Sequence, residues 1–182
     1  MTEKELIDAC IKGDRKAQQQ LYDKYASWLM AVSMRYSKSL DRAEDILQET
    51  FIKVFKHLGT IREYSNIAGW MKRILINTAI NQQRGKLYLF PMIDVDNLKK
   101  VYDESTALTD FHFGELLAMV RNLPAGCQMI FNLYAIEGYS HKEIAGKLKI
   151  SEGTSKSQYA RAKILLQNKL KDERKKSYEK LK

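Results

Sequence analysis

Apolar residues along this chain recur at the spacing of helices rather than of strands. In residues 41–58 they fall three and four positions apart, which places them on one face of a helix. This apolar stripe consists of Leu47, Phe51, Val54, Phe55 and Leu58. Runs that alternate apolar and polar residues are nearly absent, and the 182 residues include only 2 Pro and 9 Gly. The sequence therefore predicts an all-α fold.

The polar face of the same helix carries a mixed group of side chains. Asp45, Gln48 and Glu49 lie there around an apolar residue, Ile52. A single exposed apolar side chain is common on protein surfaces. With polar groups around it, however, Ile52 resembles the apolar centre of a protein–protein interface, which is typically surrounded by a polar rim. This face is thus a candidate docking surface.

A second amphipathic helix is predicted over residues 66–84. Its apolar side is formed by Met71, Ile74, Leu75 and Thr78. The other side carries a strip of basic and amide side chains, which are Arg73, Asn77, Asn81 and Arg84. Such groups, with the ring of Trp70 nearby, can hold single-stranded nucleic acid. A solvated polar face is the alternative, and Trp70 is more simply read as a core anchor because tryptophan buries a large apolar area.

The C-terminal part of the chain has the pattern of a helix-turn-helix. Ser140 and Glu143 stand at the spacing of a capping box, which predicts the start of a helix. Residues 149–151 form the predicted turn, with Ile150 as its buried plug and Ser151 as the N-cap of a second helix.

The second helix of this motif is the candidate DNA-reading element. In helix-turn-helix proteins the N-terminal part of the second helix enters the major groove. The side chains that we expect to face DNA there are Ser155, Lys156, Ser157, Gln158 and Arg161. An ordinary helical hairpin with a solvated basic face is the alternative.

Charge is concentrated at the same end of the chain. The whole sequence has 31 basic and 22 acidic residues, but residues 140–182 hold 13 basic and 5 acidic ones. Such an excess fits a polyanionic partner, because each cation set against a phosphate releases condensed counterions. No apolar run approaches the roughly 20 residues that span a bilayer, and the N-terminus has no signal-peptide pattern. We therefore expect a cytoplasmic protein that binds nucleic acid.

Residues 87–111 separate the two halves. They include Pro91 and show no sustained helical period. Their acidic residues are Asp94, Asp96, Asp103, Glu104 and Asp110. We expect a flexible acidic linker that joins two small helical domains, residues 1–86 and 112–182. The negative charge of this linker would keep it away from DNA. The alternative is that the charge is incidental and the linker is only a solvated tether.

Residue types that carry catalysis or bind metals lack the necessary spacing. Cys10 and Cys127 form no CxxC pair and are expected to be buried thiols. His57, His112 and His141 have no metal-ligand spacing to each other or to the cysteines, and no glycine-rich phosphate loop is present. The sequence therefore predicts no metal, no cofactor and no enzymatic activity.

The two halves together resemble a known family, the extracytoplasmic-function (ECF) sigma factors of the sigma-70 family. Residues 21–84 resemble sigma region 2, with AEDILQETFIKVFKHL similar to the D-x-x-Q-E-x-F helix and NIAGWMKRILINTAIN similar to the helix that follows it. Residues 115–170 resemble region 4, through LPAGCQMIFNLYAIEGYSHKEIAGKLKISEGTSKS. The resemblance implies a subunit that binds core RNA polymerase, recognises minus-35 and minus-10 promoter elements and assists promoter opening.

The resemblance also implies roles for particular residues. The helix with Asp45, Gln48 and Glu49 matches the one that docks on the clamp helices of the polymerase largest subunit, and residues 128–136 match the surface that receives the flap. Asn77, Arg84 and residues 59–67 match the part of the family that captures flipped bases of the minus-10 element. The positions that contact the minus-35 element are matched by Lys156, Ser157 and Arg161. Members of the family are often held by an anti-sigma protein, which is an expected further partner.

Residues 82–85 (QQRG) depart from the family's usual aromatic-Leu-Arg-Arg ending of the upstream helix, and three single positions depart in the C-terminal half. Ser155 stands where Val is usual, Lys149 where Gly or Asn is usual, and Gln158 where Arg is frequent. These differences leave the preferred DNA sequence open. A helix-turn-helix regulator with an N-terminal sensor or dimerisation domain is the alternative function.

Overall fold

A computed structural model describes residues 2–61, 64–87 and 113–180 of the chain. The chain forms two compact units that divide between Gln82 and Gln83. The described helices of the first unit are α1 Glu3–Ile11, α2 Arg15–Tyr36, α3 Leu40–His57 and α4 Ile67–Leu87, with short 3-10 turns at Leu58–Thr60 and Tyr64–Asn66. The last five residues of α4, 83–87, lie past the division between the units. Those of the second unit are α5 Phe113–Arg121, α6 Ala125–Phe131, a π-helical turn at Asn132–Ile136, α7 His141–Leu148 and α8 Glu152–Lys180.

Side-chain caps fix where the helices of the first unit begin. Thr2 and Glu5 form a reciprocal capping box at the start of α1. The Asp14 side chain accepts hydrogen bonds from two backbone N–H groups of α2, and Ser39 caps α3. These short polar residues satisfy backbone donors that have no partner within the helix, so each start is encoded locally.

The apolar stripe predicted for residues 41–58 forms the buried side of α3. Leu47, Phe51, Val54 and Leu58 are buried, and Phe55 is half-buried. This side of α3 packs on α2, where the ring of Tyr22 lies 4.6 Å from that of Phe51. The helix period therefore placed the core face of this element correctly.

The apolar side of α4 is wider than predicted. Met71, Leu75 and Thr78 are buried as expected, and Ile74 is half-buried. Four further residues of α4 that were not predicted on this side are also buried: Ile67, Ile76, Ala79 and Ile80. Trp70 is half-buried, so it is not the fully enclosed core anchor that its size suggested.

In the second unit, α8 packs against α5, α6 and α7. One cluster of its core is formed by Val120, Leu123, Cys127 and Ala162, with Phe131, Leu165 and Leu166 against it. Both cysteines of the chain are buried thiols, as predicted.

The predicted all-α class is confirmed, since no strand occurs in residues 2–61, 64–87 or 113–180. The acidic linker predicted at residues 87–111 falls outside the described residues, except that Leu87 ends α4. Among the described helices none is long and apolar enough to cross a membrane. The same part of the chain contains no group of His, Cys, Asp or Glu side chains arranged to hold a metal ion.

Candidate interfaces for DNA and for a protein partner

The helix-turn-helix begins at the predicted capping box. The Glu143 N–H donates to Ser140 Oγ at 3.3 Å, and the Ser140 N–H donates to Glu143 Oε2 at 2.8 Å. Hydrogen bonds from the Ser140 side chain and backbone lower the pKa of the Glu143 carboxyl. Ile144 and Leu148 of α7 are buried against the rest of the unit.

The turn between α7 and α8 bends through a left-handed residue. Lys149 has a φ of 56°, and the Ile150 N–H donates to the Ala145 carbonyl at 3.1 Å. Ile150 is only half-buried, so it is a weaker plug than expected. The Thr154 N–H donates to Ser151 Oγ at 2.9 Å, which is the hydrogen bond of an N-cap.

Three of the five predicted DNA-facing residues of α8 reach solvent. The Lys156 side chain is 61% exposed and makes an ion pair with Glu152 at 2.9 Å, one helical turn earlier. Arg161 and Ser157 are half-buried, and the Ser157 hydroxyl donates to the Thr154 carbonyl at 3.0 Å. Exposed ion pairs of this kind contribute little stability, so Lys156 is available to a phosphate.

Ser155 and Gln158 require a correction, because both are buried rather than facing DNA. Ser155 Oγ lies 2.9 Å from Nδ1 of His141, and Gln158 Oε1 accepts a hydrogen bond from Cys127 Sγ at 3.1 Å. Together with buried Ala162 they occupy positions i, i+3 and i+7 of α8, the spacing of a core face. That spacing was visible in the sequence, but two of its three members are polar.

The strip predicted on α4 lies on the outer side of that helix. Arg73, Asn77 and Asn81 are exposed, and Arg84 is half-buried. Their spacing of four, four and three residues keeps them on one side of the helix over about 16 Å. Cations and amides in one row are suited to a nucleic-acid strand, whose phosphates and bases they can contact together.

The candidate docking face on α3 has an apolar centre. Ile52 is 67% exposed, which is the largest exposed fraction among the large apolar side chains of the described residues. Asp45 and Gln48 beside it are exposed. Together with Arg42 and Gln82 these side chains line a shallow depression in the surface of the first unit. The structure thus brings the predicted group together as an apolar centre with a polar rim.

Glu49, the fourth predicted member of this face, is half-buried and is bonded to the neighbouring helix. Its Oε1 accepts from Lys53 Nζ at 2.6 Å and its Oε2 accepts from Gln82 Nε2 at 2.7 Å. These hydrogen bonds, that of Lys53 first, lower the pKa of the Glu49 carboxyl. Lys53 also donates to Thr78 Oγ1 at 3.0 Å, so Glu49 and Lys53 tie α3 to α4. The sequence analysis placed Glu49 on the docking face and did not identify its bonds to Lys53 and Gln82.

The π-helical turn at Asn132–Ile136 presents a second apolar patch, in the other unit. Its Leu133 is buried, whereas Tyr134 and Ile136 are 37% and 40% exposed. The Glu137 N–H donates to the Asn132 carbonyl at 2.9 Å, five residues earlier, which defines the π-turn.

Two family models match this chain. The model for sigma-70 region 2 matches residues 21–86 and that for sigma-70 region 4 matches residues 113–166, together 120 of the 182 residues. The first includes the α3 face and the α4 strip, and the second includes the helix-turn-helix. The chain belongs to the sigma-70 family of RNA polymerase sigma factors.

Individual relatives narrow this assignment to the ECF group of that family. The chain is 29% identical to an ECF RNA polymerase sigma-E factor of Escherichia coli, over 93% of this chain and 95% of the relative. It is 28% identical to the factor of the same name from Haemophilus influenzae, over 93% and 96%. A solved structure of the sigma factor RpoE from Bartonella quintana, in complex with the anti-sigma factor NepR, matches with a TM-score of 0.50 and 26% identity, over 84% and 96% of the two chains.

The protein is accordingly an ECF sigma factor that directs promoter-specific transcription initiation. It binds the RNA polymerase core and promoter DNA, recognises minus-35 and minus-10 elements and assists promoter opening. Sigma factors act as transcription initiation factors together with the polymerase, and the family is not one of enzymes.

Proposed function

We propose that the two halves of the chain divide the work of a sigma factor. Residues 1–86 dock on the polymerase and hold the minus-10 element, residues 112–182 read the minus-35 element, and residues 87–111 connect them. The observation that carries this proposal is that the exposed α3 face and the exposed cations of α8 lie in different compact units, each matched by a different family region. Two separate surfaces can thus engage the polymerase and the minus-35 element at once.

Contacts with the minus-35 element come from the exposed part of α8. Lys156, Ser157 and Arg161 are the residues that reach the major groove or its phosphates. Ser155 and Gln158 act on DNA only indirectly, because their side chains are buried against His141 and Cys127.

Contacts with the minus-10 element come from the α4 strip. Arg73, Asn77, Asn81 and Arg84 lie in one row, and the two arginines are placed to neutralise phosphates while the amides hydrogen-bond unstacked bases. Residues 59–67, which lead into this helix, take part in capturing flipped bases. Because these contacts form only with unpaired bases, their binding energy stabilises the open duplex.

The α3 face binds the clamp helices of the polymerase largest subunit. Asp45 and Gln48 supply the polar rim and Ile52 the apolar centre, while Glu49 orients the face through its bonds to α4. In the second unit, residues 128–136 receive the flap, to which Tyr134 and Ile136 offer apolar area.

The protein itself performs no covalent chemistry, works in the cytoplasm and is held in check by an anti-sigma protein. Support for the last point is that the Bartonella quintana factor was solved with the anti-sigma factor NepR. The exposed apolar centres at Ile52 and Tyr134 are surfaces that such an inhibitor can cover.

Transcription in vitro with purified core polymerase on a genomic library tests the assignment. Promoter-specific initiation by the wild-type chain is expected, and failure to associate with core would overturn it. Asp45→Ala and Gln48→Ala should weaken core binding and leave duplex binding unchanged, whereas Lys156→Ala and Arg161→Ala should do the reverse. Equal loss of both activities in all four variants would contradict the division of labour.

A further inference from the structure

A buried hydroxyl joins the two helices of the helix-turn-helix. Ser155 has no solvent exposure, and its Oγ lies 2.9 Å from Nδ1 of His141. His141 is the first residue of α7, whereas Ser155 lies in the first turn of α8, where its N–H donates to the Ser151 carbonyl at 3.1 Å. The hydrogen bond thus connects the start of one helix to the start of the other.

The imidazole of His141 is itself held between aromatic rings. It stacks on Tyr134 with ring centroids 4.2 Å apart and planes inclined by 13°, and its centroid lies 5.8 Å from that of Tyr159. The rings of Tyr134 and Tyr159 are 4.5 Å apart. Three elements, the π-turn, α7 and α8, therefore meet around this imidazole, and its position is set by packing on more than one side.

We propose that His141 is a positioning residue for promoter recognition, which holds the first turn of α8 in place through Ser155 and so aims Lys156 and Ser157 at DNA. This inference rests on the proposed function of α8 as the helix that reads the minus-35 element. His141 itself touches no DNA in this role. It acts by supplying the one partner that the structure shows for the buried hydroxyl.

Burial explains why the partner matters. A buried hydroxyl without a hydrogen bond is costly, whereas an apolar residue at the same site needs no partner. The resemblance to the family gives Val as the usual residue where this chain has Ser155. Where the family usually has an apolar contact, this chain therefore has a polar one that depends on His141. Burial of the ring, and next the charge of Lys156, lower the pKa of His141, so that at neutral pH a neutral imidazole faces the hydroxyl.

A double-mutant cycle on the full chain, bound to core polymerase, tests the inference. His141→Phe keeps the ring stacking but leaves the Ser155 hydroxyl without a partner, and Ser155→Val removes the hydroxyl. The readout is the ratio of affinities for a duplex selected by the wild-type chain from a random pool and for a scrambled duplex. All variants are measured at a temperature where circular dichroism shows them folded.

His141→Phe is expected to lower this specificity ratio about fivefold, the effect of one unpaired buried hydroxyl. Ser155→Val should cost less, because it removes the buried hydroxyl itself and the His141 that it leaves is only half-buried. The double variant should recover to within about twofold of wild type, since the unmet hydroxyl is gone. Ser155→Thr, which keeps the hydroxyl, is the conservative control and should stay close to wild type.

Additive losses in the double variant would overturn the inference, as would a lowered melting temperature with an unchanged specificity ratio, which marks a purely structural role. If His141→Phe does not fold, His141→Asn replaces it, because the Asn side-chain oxygen can accept near the place of Nδ1 and should keep the ratio. If the wild-type chain selects no duplex, the assignment of α8 as the reading helix fails, and this failure is seen before any variant is measured.

Discussion

The exposed apolar centre of α3 offers the sharpest test of the polymerase-docking face. Ile52 is 67% exposed, so its replacement by Ala should change the stability of the fold by less than about 0.5 kcal/mol. The same exposure means that most of its side chain remains to be buried by a partner. Ile52→Ala should therefore weaken core binding without weakening the fold.

The magnitude follows from that exposed fraction. Full burial of an isoleucine side chain contributes about 1.5–3 kcal/mol. With 67% of Ile52 exposed, roughly two thirds of this, about 1–2 kcal/mol, is available to an interface. Alanine retains one methyl group, so the expected loss is about 1–1.4 kcal/mol, a five- to tenfold increase in the Kd for core polymerase.

Leu40 provides a matched control on the same helix. It is 54% exposed, but it lies twelve residues before Ile52, which is about 18 Å along the axis and about 120° around it. Leu40→Ala removes a similar apolar area from outside the docking face and should leave core affinity within twofold of wild type. The Kd is measured by fluorescence anisotropy of the labelled full chain titrated with purified core polymerase.

Two results would refute this reasoning. One is a Kd for Ile52→Ala within twofold of wild type, which would show that the partner does not bury this side chain. The other is an equal weakening by Leu40→Ala, which would show that exposed apolar area on α3 acts without regard to its face.

Three other outcomes can be measured on the same material. Glu49→Ala should lower the free energy of unfolding in urea by about 1–2 kcal/mol, because two hydrogen bonds are lost. Replacing the exposed Asp45 by Ala should change that free energy by less than about 0.5 kcal/mol. Equal effects of the two substitutions would argue against a link between α3 and α4 through Glu49. Lys156→Ala and Arg161→Ala should each weaken binding to all duplexes and lower the slope of log affinity against log salt by about 1, and an unchanged slope would exclude a phosphate contact. Burial, and then Lys156, hold the pKa of His141 below its ordinary value of 6.5, so the unfolded chain binds the proton more readily. The second unit should therefore be most stable above pH 6.5 and lose stability as the pH falls below it. His141→Phe should flatten this dependence in melting curves recorded between pH 5 and 7.5. A wild-type melting temperature that does not fall with pH would contradict the lowered pKa of His141.

The helices were readable from the sequence because their signals are local. The predicted helix at residues 41–58 is observed as Leu40–His57, and that at residues 66–84 as Ile67–Leu87. Apolar residues at intervals of three and four place the core face, and a polar cap marks the start. The same rules correctly predicted that Ile52 and Asn77 are exposed, since both lie opposite the apolar stripe of their helices.

The interior polar pairs could not be predicted in the same way. Ser155 and Gln158 are polar and were assigned to the DNA-facing side, yet their partners His141 and Cys127 lie 14 and 31 residues away in sequence. A polar side chain is buried only where another element supplies its hydrogen bond, and that element is known only once the helices are packed. The π-turn at Asn132–Ile136 likewise had no signal in the apolar period.

The left-handed lysine at the turn has a consequence for how this protein can be improved. A residue with a Cβ at φ 56° costs about 1 kcal/mol relative to glycine, and Lys149 occupies that conformation. The side chain is exposed, so neither core packing nor a buried contact holds lysine there. Selection of random variants for heat resistance should therefore return Gly or Asn at position 149 among its first solutions. Retention of lysine in a selection that also demands transcription would show that its charge serves the promoter complex.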